Sequence, residues 1–146
     1  MLIRNILEES VRKFDEVKAV KWLKKKEIME RSYGELMENV VSTRKGLLAE
    51  GFEGKHIALI GTSSVEWMES YLGIITGCTT AVPLDAALPC EDLIDLLNRS
   101  DSVALFLSPK LKPYLDAFLE NCPKLQEGVD ASGRGRRCTG KGIWYW

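Results

Sequence analysis

The sequence predicts an α/β fold, an open and mainly parallel sheet with helices on both faces, and three observations point to it. Two near-continuous apolar runs, His56–Ile60 (HIALI) and Ser102–Leu107 (SVALFL), have the length and composition of strands buried on both sides. Segments with apolar residues at helical spacing stand beside and between them. Gly51, Gly61, Gly77 and Pro89 fall at the joints. Such alternation implies βαβ units with right-handed crossovers.

Taken in order, Ile3–Phe14 places Ile3, Ile6, Leu7, Val11 and Phe14 on one face, against Glu8, Glu9, Arg12 and Lys13 on the other: an amphipathic helix. Two β-prone runs follow, 18–23 (KAVKWL) and 27–31 (EIMER), split by lysines 24 to 26. They predict a hairpin with a solvated turn. Ser32-Tyr33-Gly34-Glu35 is a capping box, in which the Ser32 hydroxyl accepts from the Glu35 amide and the Glu35 carboxylate accepts from the Ser32 amide. The helix it opens points Leu36, Val40, Leu47 and Leu48 inward and ends at Gly51, which can take the left-handed conformation.

After the 56–60 strand, residues 61–64 (GTSS) turn into a helix over 65–76 carrying Trp67, Tyr71, Ile74 and Ile75. Residues 79–83 (TTAVP) form a short strand, and a helix over 91–99 presents Leu93, Ile94, Leu96 and Leu97. The 102–107 strand follows, and 109–121 is a last helix. The body is assigned to 1–127. From Gly128 the periodicity disappears, and 128–146 (GVDASGRGRRCTGKGIWYW) carries four basic residues against one acid. That tail is expected to be disordered or translated out of frame. An RNA-binding basic tail is the lesser alternative, since charge with interleaved aromatics can hold single strands.

At 146 residues the chain is long enough for one domain with a real core, and 45% hydrophobic with 28% charged residues is a globular composition. A net charge of −1 gives no global electrostatic case for nucleic acid or an anionic membrane. No apolar run is long enough to cross a bilayer, and MLIRNILEESVRKF lacks the apolar centre of a signal peptide. Cys78, Cys90, Cys122 and Cys138 are widely spaced, with His56 as the only histidine. That pattern favours reduced thiols in a cytoplasmic protein over a zinc site or a disulfide framework.

The 61–64 turn is the most tempting site, because a turn from a buried strand into a helix offers amides and a positive dipole end to an anion. It lacks the spacing and lysine of a P-loop, and Val65 breaks the G-x-S-x-G of a nucleophile elbow. Ser63 or Ser64 is therefore read first as a helix cap. His56 has no nucleophile or carboxylate in a recognisable pattern and is read as structural. Glu66, Glu69, Asp85, Glu91, Asp92 and Asp95 form no spaced pair; Glu91, Asp92 and Asp95 suit the first turn of a helix.

One further reading comes from order and spacing over about 18–127. S-Y-G-E-L leads to G-L-L-A-E-G-F, then K-H-I-A-L-I-G, S-S-V-E-W, Y-L-G-I-I-T-G and V-P-L-D-A-A-L-P. This series resembles the opening of the AMP-forming acyl-activating ligases, whose segments run "D-x-V-A-I", "N-S-x-E-W", "Y-L-G-x-x-x-A-G" and "V-P-L-N/D-x-x-x-P". Ser63 departs from the usual Asn, and Cys78 stands near a usually small residue. Trp67 and the P-L-D form suggest a branch similar to the long-chain fatty acyl-CoA ligases.

The resemblance implies the N-terminal subdomain of the acyl-CoA synthetase fold. For a full-length relative it implies ATP, Mg and CoA as cofactors. It also implies that the Ser/Thr/Gly-rich phosphate loop, the Tyr-Gly-x-Thr-Glu motif, the ribose-binding Asp and the catalytic Lys lie in a remainder that this sequence does not include. No catalytic, cofactor-binding or metal residue is therefore carried over. The chain is expected to be a truncated ligase, inactive alone, with the missing remainder as its natural partner. The alternatives are a non-catalytic module pairing with a separate chain, and a small nucleotide-binding α/β protein using the 61–64 turn. An exposed sheet edge, prone to self-association, is expected of the truncation.

Overall fold

A computed structural model describes residues 2–125 and 143–145. The elements are α1 (Ile3–Phe14), β1 (Lys18–Lys24), β2 (Glu27–Ser32), α2 (Tyr33–Ala49), β3 (His56–Ile60), α3 (Val65–Ile75), β4 (Thr80–Leu84), α4 (Cys90–Arg99), β5 (Ser102–Leu107), α5 (Leu115–Asn121) and β6 (Ile143–Tyr145). β1 and β2 form a separate antiparallel hairpin, and the other strands form a parallel sheet in the order β4-β3-β5-β6. The expected α/β architecture is the one observed.

The sheet separates two cores because alternate residues of each strand face opposite sides. On one face Ile57, Leu59, Ala104 and Phe106 meet Leu47 of α2, Phe52 and Ile74 of α3. On the other, Ala58, Ile60, Leu105 and Leu107 meet Leu93 and Leu97 of α4 and Phe118 of α5. A bulge in β5 between Ser102 and Ala104 adjusts its register against β3.

Several local expectations are refined. The capping box is complete: Ser32 Oγ accepts from the Glu35 amide at 3.2 Å, and Glu35 Oε2 accepts from the Ser32 amide at 2.7 Å. In α2, Thr43 rather than Leu48 joins Leu36, Val40 and Leu47 in the interior, while Leu48 is 42% exposed. α3 passes so close to α2 that a Cβ on Gly73 would lie 2.6 Å from Thr43 Cβ and Cγ2. The expected 109–121 helix is a 3-10 segment, Pro109–Tyr114, followed by α5. Pro113 explains the break, since it has no amide to donate and its ring crowds an α-helical turn. The apolar face of α1 is only partly covered: no residue in it is fully buried, and Ile3, Ile6 and Phe14 are exposed.

β6 was not anticipated. Most of the 128–146 tail lies outside the described residues, but Ile143–Tyr145 pairs in parallel with Leu105, Phe106 and Leu107. Trp144 stacks on Phe106 at 5.0 Å and meets Phe52 edge-on at 5.9 Å. The expected open edge is therefore occupied along this part of β5. The opposite edge strand, β4, carries Pro83, which presents no amide to an incoming strand.

Candidate functional site

In an open parallel sheet, ligand crevices form at the carboxyl ends of the strands, where successive connections leave toward opposite faces. Here that point lies between β3 and β5, because α3 follows β3 onto one face and α5 follows β5 onto the other. The 61–64 turn and Ser108 stand side by side there, joined by the Ser108 amide donating to the Ile60 carbonyl at 2.9 Å.

The polar side chains at this edge serve the local backbone. Ser64 is the N-cap of α3, and its Oγ accepts from the Trp67 amide at 3.0 Å. Asp85 Oδ1 accepts from the Ala87 amide at 2.9 Å, fixing the turn after β4. Thr62 and Ser63 remain exposed at this edge.

His56 lies at the opposite end, the amino edge of β3. Its Nδ1 donates to the Ser100 carbonyl at 2.6 Å, which fixes the tautomer, since a carbonyl can only accept. With Lys55, Asp101 and Lys124 it lines an open cleft of about 370 Å³. Lys124 hydrogen-bonds Asp101 and holds its carboxyl below the usual range. The sheet thus separates His56 from the 61–64 turn.

Sequence reasoning missed the most deeply placed acid. Glu69 is fully buried on the inner side of α3, where its carboxylate accepts from Arg31 of β2 and from Asn39 Nδ2 of α2, the latter at 3.1 Å. Arg31 also lies over the Trp22 ring at 5.4 Å, so one ion pair ties the hairpin to both helices. The available signal was position: Glu69 falls one turn after Val65 and one before Gly73, on a face that is otherwise buried.

Cys78, Cys90 and Cys122 are all free thiols; Cys138 lies outside the described residues. Burial pushes the Cys122 thiol up to about 11, which leaves little thiolate and a poor nucleophile at neutral pH. Among the described residues, no group of three or more His, Cys, Asp and Glu side chains could hold a metal ion.

A family model described as "AMP-binding enzyme" matches residues 7–137. The chain belongs to that family. No curated relative matches the sequence. Among solved structures, the AMP-binding family member described here is similar to the anthranilate CoA ligase AuaEII in complex with anthranoyl-AMP. That match has a TM-score of 0.74 at 18% identity, covering 85% of this chain and 23% of the other. The N-terminal domain of FACL13 from Mycobacterium tuberculosis matches with a TM-score of 0.72 at 20% identity, over 80% of this chain and 30% of that one. A fatty acid AMP ligase from Legionella pneumophila matches at 0.64 and 18%, over 73% and 19%. At these identities the likeness is one of fold. The chain spans less than a third of the length of each of these structures.

Proposed function

We propose that this family member is the N-terminal part of an ATP-dependent, AMP-forming acyl-CoA ligase, contributing scaffold rather than chemistry. The observation that carries the reading is the family match over 7–137 together with the fraction of each ligase structure that the chain spans. In the whole enzyme a carboxylate, a fatty acid in our reading, would react with ATP to give an acyl-adenylate and pyrophosphate. The acyl group would then pass to the CoA thiol with release of AMP. Adenylation draws its rate from donors and Mg²⁺ arranged around the transferring phosphates. The described residues do not fit that group: Ser64 and Asp85 are committed to their own turns, and no acidic cluster faces the carboxyl edge. No step is therefore assigned to them. The free thiols accord with a cytoplasmic location, which we include in the proposal.

The test is ATP–pyrophosphate exchange with a panel of fatty acids. The chain alone is expected to show none, and exchange is expected when a polypeptide supplying the rest of a ligase is added. Exchange by the chain alone would overturn the scaffold assignment. No exchange in the reassembled protein would overturn the ligase reading.

A further inference from the structure

Leu23 and Ile28 are the two most exposed large apolar side chains among the described residues, at 70% and 72%. They face each other directly across the β1–β2 ladder and so project from the same side of the hairpin. The two-residue turn joining their strands is Lys25-Lys26, exposed and at φ 47° and 71°; Lys24, the last residue of β1, lies opposite Glu27 on the other side of the hairpin. Further down that side, Lys21 pairs with Glu30 at 2.7 Å and closes the patch. The other side of the hairpin is anchored, because Arg31 lies over Trp22 and pairs with the buried Glu69. The hairpin is thus held by its inner face while its tip presents two apolar side chains beside the positive charges of Lys25 and Lys26.

We propose that this tip is a docking wedge for an anionic lipid surface. Leu23 and Ile28 would enter the boundary between headgroups and acyl chains, and Lys25 and Lys26 would lie among lipid phosphates, their aliphatic stems following the apolar pair inward. A bilayer surface satisfies both chemistries in one orientation. A nucleic acid would meet the lysines but leave the apolar pair in water, since the exposed pair offers no aromatic ring for base stacking. Two side chains are also too small a patch for a stable protein interface. The basic tip stands out against a nearly neutral chain, so the attraction is local.

The experiment is flotation of the intact chain with vesicles of mixed phosphatidylcholine and phosphatidylglycerol, beside vesicles of phosphatidylcholine alone. Binding is expected only to the anionic vesicles and is expected to weaken with added salt. Neutralising one lysine should weaken it about fivefold. A Lys25→Glu/Lys26→Glu variant should abolish it, and Leu23→Ser/Ile28→Ser should reduce it by roughly tenfold or more. Lys110→Glu/Lys112→Glu, which alters exposed charge elsewhere, should leave it intact. Circular dichroism of each variant separates lost docking from lost folding. The proposal is overturned by equal binding to neutral vesicles, or by a loss in the lysine variant that the apolar variant does not share, the pattern of a polyanion. It is also overturned if Leu23→Ser/Ile28→Ser abolishes self-association in the absence of vesicles, which would make a second copy the occupant.

Discussion

Of the six acids that form no spaced pair in the sequence, Glu69 is the one that the fold buries completely. The fold carries Arg31 across 38 positions to meet it. A buried carboxylate stripped of its cation is costly, whereas a partly exposed guanidinium can recover water. Arg31→Met is therefore expected to destabilise the chain by about 3 kcal/mol, and Glu69→Gln by only about 1–2 kcal/mol, because an amide can still serve Asn39. Urea titration of both variants checks the ranking. Glu35 makes a different case, exposed and legible from spacing alone. Acceptance of the Ser32 amide holds its carboxyl below the ordinary value of 4.5. Since the folded value is the lower one, its contribution is complete above about pH 4.5 and is lost as pH falls through the folded value. Glu35→Gln should therefore flatten the fall of Tm below that pH while lowering Tm at neutrality.

Among the elements, the hairpin is where local chemistry and tertiary demand disagree. A two-residue turn with both φ values positive matches the twist of paired strands, but it suits Asn and Gly rather than lysine. Lys26→Gly is accordingly expected to raise stability by about 0.5–1 kcal/mol, seen as a higher midpoint in chemical denaturation. The helices obey their sequence signals more closely. Ser32 and Ser64 both cap, and Gly51 ends α2 with φ 74°. The exception is 109–121, where helical periodicity continued through Pro113 but the backbone could not.

At the scale of the whole molecule, β6 changes how the fold closes. A sheet ending at β5 would leave Phe106 and Leu105 without a neighbour on that side, and Ile143 and Trp144 fill the position. Trp144 is 9% exposed and packs against two aromatic rings, Phe52 of the α2–β3 loop and Phe106 of β5. Trp144→Ala is expected to cost about 3 kcal/mol and to increase binding of a hydrophobic dye, both measured on the folded chain before and after denaturation. Pro83 on β4 limits pairing at the other edge. Among the described residues, both edges of the sheet are thus partly protected from pairing with another strand.

Taken alone, the sequence determined the alternation of strands and helices, the caps, and the order of motifs that places the chain among the AMP-binding enzymes. These depend on periodicity, on capping chemistry between residues three apart, and on turn residues, all of which act over short stretches. It also showed why the 61–64 turn should cap rather than imitate a P-loop. Tertiary structure alone decided that Glu69 is buried against Arg31, that α1 keeps apolar residues exposed, and that Ile-Trp-Tyr at 143–145 forms a strand. Each of those outcomes depends on what distant segments bring to the same place: a charge, no covering element over α1 among the described residues, and an apolar sheet edge. Three residues without recognisable periodicity become a strand when Phe52, Phe106 and the edge of β5 supply the surface that they bury.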